Sequence, residues 1–396
     1  MMFSLLLQLS AADTGIRVTS VGCGGGLCLA GIYHDGKSGL AKYDGHTFNV
    51  IPVEDLNEPI VLIAWNGEYF LLVGEKGRLL EYDGHNLRDI TSQLGWGYGT
   101  QILKLIPSGG RWLIYGASMA NDETLSAVYD GERFSRASRG LGWEIVPVGK
   151  GRFWFVCAKN KENYAICEYS GKEIRDIADI PPSEVDFYRL YWNGEYLLLV
   201  GNYVENGSWY SRLVVFNGTD FKEVNYSREP VTKIAWNGNY WVVSYYSGNN
   251  YRFGKVYEDR FVDLGAVLNT SASALVCNGN YCLVSYRCGG VYGFNGTHFE
   301  NLTGSLREAG VECADKIAWG GNFWLLLQQK ERGDMVLKYD GSAFADITPL
   351  LRKAFTSKTA EEPPESPPER KAVCGPTIIL LLSVLIIVAG IKREAR

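Results

Sequence analysis

Apolar and polar residues alternate along this chain in short bursts, and glycine-bearing turns cut the bursts apart. The stretch 62–91, LIAWNGEYFLLVGEKGRLLEYDGHNLRDIT, shows the unit: four short β-rich runs separated by Asn-Gly, Lys-Gly and Asp-Gly. Asn-Gly and Asp-Gly supply the positive φ that two-residue hairpin turns demand, so the unit predicts a four-stranded meander.

The unit recurs. WNGEY stands at 65–69 and again, letter for letter, at 192–196. Alignment on that turn gives eight copies, CGGGLC (23–28), WNGEYF (65–70), PSGGRW (107–112), VGKGRF (148–153), WNGEYL (192–197), WNGNYW (236–241), CNGNYC (277–282) and WGGNFW (319–324), about 42 residues apart. A second turn follows some 20 residues after each, as YDG at 43, 82, 129 and 339, YSG at 169, FNG at 216 and 294, and YED at 257. A lone meander cannot bury both faces, but many packed side by side around an axis can, and a period of about 40 to 50 residues marks the blades of a β-propeller. The expected fold is therefore all-β, a β-propeller of eight four-stranded blades within residues 13–355. Seven blades with a stray repeat is the alternative, because the first copy, VGCGGGLCLAG, lacks the aromatics of the others. The first copy begins with an inner strand and the last ends with an outer one, FADIT, so closure is expected from blade packing or from Cys pairs rather than from an exchanged strand.

Composition supports the β reading: of 396 residues, 24 are Tyr, 16 Phe, 11 Trp and 46 Gly, a mixture suited to short strands and tight turns. A net charge of −5 with interspersed signs supplies no basic stripe for a phosphate backbone, which sets nucleic acid aside as a partner.

The two ends differ from the repeats. Residues 372–391, AVCGPTIILLLSVLIIVAGI, run uncharged for twenty positions, about 30 Å as a helix, which matches a bilayer core. A Pro/Glu-rich linker at 356–371 precedes this run, and a basic tail ends the segment 372–396, so it reads as a C-terminal transmembrane anchor. Residues 1–12 carry an apolar run and a small-residue site at Ser10-Ala11-Ala12, the features of a signal peptide, but no basic residue precedes them, so the segment reads as truncated.

Cysteines point to export. Cys23 with Cys28, and Cys277 with Cys282, replace the aromatic pair that flanks the first turn elsewhere, as in Trp236 and Trp241, and so face one another across a hairpin. Cys157 and Cys167 bracket the second hairpin of the fourth unit, and Cys288 and Cys313 remain to join the seventh unit to the eighth. Sequence alone leaves the connectivity open. No metal or cofactor is expected, because CxxC is absent and the four His are scattered, with His46, His85 and His298 simply following turns. Asn206, Asn217, Asn225, Asn269, Asn295 and Asn301 are glycosylation sequons, two of them on outer hairpin turns.

Cys374 opens the tripeptide CGP between the Pro/Glu linker and the apolar run, with the basic tail beyond. This order of parts resembles the CGP C-terminal sorting signal on surface proteins of Thermococcus-type archaea, over about the last 35 residues. The resemblance implies lipid attachment at Cys374 and a propeller held outside the membrane. The repeats resemble no propeller family of assigned activity.

Function is expected on one face. In a propeller the first and third hairpin turns share one face, and the loops after the second and fourth strands share the other. The first set is short and uniform, whereas the second varies: LGWGYGTQ (94–101), GASMANDETLSA (116–127), LGWEI (141–145), GNYVENGSWYSR (201–212) and YYSGNNYRFGK (245–255). Its Trp96, Tyr98, Trp143, Tyr203, Trp209, Tyr210, Tyr246 and Tyr251 sit among Gly, Asn and Ser, a mixture suited to stacking on glycans or gripping peptides, although such rings also serve to cap a core. No GxSxG, HExxH or Walker loop is present, and the Trp-docking repeat of eight-bladed quinoprotein dehydrogenases is missing. The expectation is a non-enzymatic extracellular binding module. A polysaccharide hydrolase or lyase using acids such as Asp122, Glu123, Glu144 or Asp186, or a structural envelope protein, are the alternatives.

Overall fold

The computed structural model describes residues 16–359, apart from 54, 98, 119–122, 137–143, 160–162, 172, 182–186, 269–270, 287–289 and 330–333. The expected signal peptide, most of the linker, Cys374 and the apolar run lie outside the described residues. Among the described residues no helix is long and apolar enough to cross a membrane.

Eight separate four-stranded antiparallel sheets are present, each built from four consecutive strands. They form blades at 17–52, 60–89, 100–136, 145–179, 187–223, 231–268, 272–301 and 316–346. The first copy makes a full blade although it lacks aromatics, so the seven-bladed alternative falls. Its four strands need only the turns and the alternation of small apolar residues, and Val18, Leu29, Ala30, Ile32, Leu40 and Ala41 are all buried. The first strands approach one another between most neighbouring blades, and that of blade 8 approaches that of blade 1, so these strands surround the axis.

The repeated turn has a repeated cause. The Asn66 side-chain oxygen accepts hydrogen bonds from the N–H groups of Glu68 and Tyr69, and Asn193 does the same for Glu195 and Tyr196. The glycine that follows, Gly67 or Gly194, takes φ of 106° or 105°, a conformation that a Cβ would disfavour. WNGEY is written twice because two blades need the same side-chain-closed turn. On the outer turns Asp44, Asp83, Asp130 and Asp340 play the part of Asn, and the preceding Tyr43, Tyr82, Tyr129 and Tyr339 each donate a hydroxyl hydrogen bond to the turn glycine carbonyl.

Core is shared between blades rather than held within them. Successive residues of a strand face opposite neighbours: in blade 5, Leu197 and Leu199 pack toward blade 4 with Trp154 and Ile166, while Leu198 and Val200 pack toward blade 6 with Trp241 and Val243. Short helices occupy two of the connections, α1 (Thr91–Leu94) between blades 2 and 3 and α2 (Thr303–Glu308) between blades 7 and 8. A longer helix, α3 (Thr348–Thr359), follows blade 8 and extends into the segment read as linker.

No strand is exchanged to close the ring. Blade 8 meets blade 1 in one apolar cluster that holds Phe323, Leu325 and Leu327 against Ala30, Ile32 and Tyr43, and α3 adds Leu351 and Phe355 to it. The Val18 N–H donates to Asp334, and Lys338 Nζ donates to the Gly45 carbonyl at 2.9 Å. The second bond repeats an interior joint, because Lys42 Nζ reaches the Gly84 carbonyl at 3.2 Å between blades 1 and 2. The Cys23–Cys28 disulfide does not link the two blades covalently but packs into this cluster, with Cys28 buried in it and Cys23 against it. Cys23–Cys28 and Cys277–Cys282 are directly opposed across their hairpins with Cα atoms 4.0 Å apart, at the position where Trp236 and Trp241 meet edge to face in blade 6. Cys157–Cys167 joins the second and third strands of blade 4. Cys313 is also disulfide-bonded, and its expected partner Cys288 lies outside the described residues.

Candidate ligand-binding face

The face opposite the uniform turns carries the features that differ from blade to blade. Second strands of five residues suffice in blades 2, 7 and 8 (Phe70–Gly74, Cys282–Tyr286, Trp324–Gln328). In blade 5 the second and third strands each have nine, Leu197–Glu205 and Ser208–Phe216, and in blade 6 they have seven and eight, Trp241–Ser247 and Asn250–Tyr257. The segments 201–212 and 245–255, read from sequence as variable loops, are thus the ends of continuous two-stranded hairpins. Their turns are Asn206-Gly207, with φ of 51° and 78°, and Gly248-Asn249, with φ of 55° and 69°. The aromatic and β-branched residues between strand and turn keep the ladder going, which is the signal that a loop reading overlooks.

Alternation along these hairpins sorts the predicted aromatics. Tyr203 and Tyr210 are a cross-strand pair stacked at 5.5 Å, and they join the core shared with blade 4. They cap packing. Val204 and Trp209 form the next pair toward the tip, on the other side of the ribbon, and are 47% and 57% exposed, the two most exposed large apolar side chains beside Val262. By the same alternation this pair faces blade 6. There Tyr246 and Tyr251 form a cross-strand pair at 5.0 Å on the side toward blade 7, and the Tyr246 hydroxyl bonds the Asn249 side chain. The floor between the two hairpins is the connection from blade 5 to blade 6, where the Tyr226 hydroxyl donates to the Glu229 carbonyl and Ser247 Oγ donates to the Glu229 carboxylate. Burial raises the Tyr226 hydroxyl pKa well above its ordinary value, so it stays a neutral donor.

Trp96 belongs to a different place. It follows α1, and its ring lies against Gly116 so closely that a Cβ there would stand 2.6 Å from the indole. The same ring separates two clefts of about 360 and 340 Å³. One is lined by Glu123, Leu125 and Arg136 of blade 3, the other by Glu58, Lys76 and Arg78 beside blade 2. Trp96 therefore both packs and shapes a surface. Tyr98, Trp143, Asp122 and Asp186 lie outside the described residues. Of the predicted aromatics that are described, those at blades 5 and 6 and that at blades 2 and 3 form two groups about three blades apart rather than one patch.

The acids considered for catalysis are differently placed. Glu123 lines the cleft beside Trp96, whereas Glu144 sits on the axial side and pairs with Lys104 at 3.6 Å. Cys157, Cys167 and Asp176 are the one grouping of metal-type ligands among the described residues, and both its sulfurs are committed to a disulfide. Five sequons, Asn206, Asn217, Asn225, Asn295 and Asn301, are exposed, and Asn269 lies outside the described residues. The sequence reading passed over α3, although Pro349 in its first turn is a local start signal, whereas the two clefts arise where separate segments meet and left no cue.

No protein-family model matches this chain, and no curated protein matches it. Solved structures similar to it include Sqt1 of Saccharomyces cerevisiae, at 12% identity and a TM-score of 0.50, with 84% of this chain and 96% of that chain covered. Prolyl oligopeptidase B from Galerina marginata matches at 10% identity and a TM-score of 0.50, over 83% of this chain and 55% of that one. The β-propeller domain of the Trilobed protease from Pyrococcus furiosus matches at 9% identity and a TM-score of 0.48, over 84% and 98%. At 10–12% identity the first two likenesses show the propeller fold and nothing narrower.

Proposed function

We propose that this chain is a membrane-tethered extracellular propeller that binds glycan or peptide ligands through the hairpins of blades 5 and 6. The observation that carries the reading is Trp209, which projects 57% exposed from a two-stranded ribbon on the side that faces the hairpin of blade 6. An aromatic held on a strand loses little entropy when a flat sugar face or a peptide side chain stacks on it. Export is supported by the disulfides, which persist outside reducing compartments, and by the exposed sequons. The tether rests on the apolar run 372–391, and its resemblance to a CGP sorting signal assigns lipid attachment to Cys374.

Glycan-array and peptide-pool screening of the full-length protein tests the binding reading. Trp209→Ala is expected to weaken any ligand found, and an unchanged affinity would remove blades 5 and 6 from the site. Product formation from a bound polysaccharide would replace the binding module with a hydrolase or lyase. Self-association without any soluble ligand would favour a structural envelope role. Detergent partitioning and mass measurement of Cys374→Ser beside the natural protein test the anchor.

A further inference from the structure

The smaller cleft beside Trp96, of about 340 Å³, is lined by a carboxylate that the fold leaves short of partners. Glu58 stands in the connection from blade 1 to blade 2 and is only 6% exposed. Its Oε2 accepts the main-chain N–H of Lys76, in the hairpin between the second and third strands of blade 2. Its Oε1 has neither a hydrogen bond nor an ion pair among the described residues. Gly74 makes room for that oxygen, because a Cβ there would collide with it. Buried carboxylates are ordinarily paired with a cation or held by several donors, since an uncompensated charge is costly away from water.

The chain's own cations do not fill the gap. Arg78 lines the cleft, but its Nε pairs with Asp89 at 2.6 Å and its Nη1 donates to the Asp55 carbonyl. Lys76 is exposed and gives Glu58 only its main-chain N–H, with no ion pair among the described residues. The Thr91 hydroxyl is likewise engaged, by Asp89 and by the Leu79 main chain. Around the cleft Asp55, Glu58, Glu75 and Asp89 outnumber Lys76 and Arg78, so a further positive charge is accommodated there.

Trp96 supplies the apolar part. Its Cζ3 and Cη2 edge rests on Gly116, and the ring stands between the two clefts. One carboxylate falls far short of the oxygen set that a calcium or magnesium ion requires. A sugar hydroxyl would give Oε1 a donor but leave the charge uncompensated. An ammonium group gives both, and its stem and charge are each favoured beside an indole. The volume lies at the small end of ligand pockets, which suits one end group rather than a large molecule.

We propose that this cleft binds an alkylammonium group, which meets the free oxygen of Glu58 while its carbon stem lies against Trp96. The group is either a free amine or a lysine side chain of a polypeptide. The site shares no residue with the hairpins of blades 5 and 6, so its loss would leave that reading standing.

Isothermal titration calorimetry of the full-length protein in detergent tests it with cadaverine and with acetyl-Gly-Lys-Gly-amide. Saturable binding of at least one is expected; cadaverine alone identifies a free amine as the source, the peptide alone a polypeptide. Pentanediol and glutarate, chains of similar length without a positive charge, are expected not to bind. Glu58→Gln, which keeps an acceptor for the Lys76 N–H, is expected to weaken binding about tenfold. Lys76→Gln removes a like charge and is expected to strengthen it. Glu132→Gln, the same charge change on an exposed outer turn, is expected to leave it unchanged. No binding of either amine, an unchanged affinity in Glu58→Gln, weaker binding in Lys76→Gln, or equal binding of pentanediol or glutarate would each overturn the proposal.

Discussion

The main-chain N–H of Val18 donates to the buried carboxylate of Asp334 over 2.6 Å, which joins the first blade to the last across 316 positions of sequence. A hydrogen bond to a charged acceptor is worth about 1.5–3 kcal/mol, so Asp334→Ala should lower stability by about that much. Asp334→Asn keeps an acceptor and should lose less. Leu351 of α3 is buried in the same joint, and Leu351→Ala should cost about 2–5 kcal/mol. Urea titration of the variants checks both values. Losses near zero would mean that the ring is closed by the remaining cluster alone.

The outer turns make the fold acid-sensitive. Main-chain N–H groups of Asn86 and His85 hold the Asp83 carboxyl down to about 2, and the Ser342 hydroxyl with the Ala343 N–H does the same for Asp340. Asp44 and Asp130 are lowered for the same reason, by the N–H of Thr47 and of Arg133 first. Folded values below the ordinary 3.8 mean that this contribution is fully present above pH ~4 and is lost as pH falls toward about 2. Asn217 and Asn295 close the equivalent turns in blades 5 and 7 without a charge. The combined replacement Asp44→Asn, Asp83→Asn, Asp130→Asn and Asp340→Asn should therefore keep the fold and flatten the loss of melting temperature between pH 4 and 2, read by circular dichroism.

Gly116 sets the position of Trp96. A Cβ at that residue would stand 2.5 Å from the Gln101 carbonyl and 2.6 Å from the indole. Gly116→Ala should destabilise by about 1–3 kcal/mol, as overpacking does, and should shift the Trp96 fluorescence because the ring must leave its seat between the two clefts. Trp209→Ala, by contrast, should change stability by no more than about 0.5 kcal/mol, since its side chain is largely in solvent. Equal losses in the two variants would contradict the division into a packing and a surface tryptophan.

The disulfides should differ in weight. Cys23–Cys28 and Cys277–Cys282 are separated by 5 residues, so each should contribute less than the roughly 3 kcal/mol of a 15-residue loop. Replacement of both pairs by Ala should lower the melting temperature less than replacement of Cys313 does, if its bridge joins blades 7 and 8. Non-reducing peptide mapping checks the connectivity. A bridge from Cys313 to Cys374 would sink the reading of Cys374 as a lipid anchor, and free thiols at 23, 28, 277 and 282 would undercut export.

Periodicity alone determined most of the fold. Asn-Gly and Asp-Gly turns, strand alternation and a 42-residue spacing are local properties, and they implied eight blades, their four-stranded make-up, the turn positions and the opposed Cys pairs, all of which the structure contains. The tertiary structure decided what depends on neighbours. Tyr203 and Trp209 look alike in sequence, but a difference in strand face sends one into the core beside blade 4 and the other into solvent. Trp96 acquired its role from Gly116 on the adjacent blade. Repeats specify each blade locally, whereas exposure and side-chain pairing are set between blades, where no local pattern reaches.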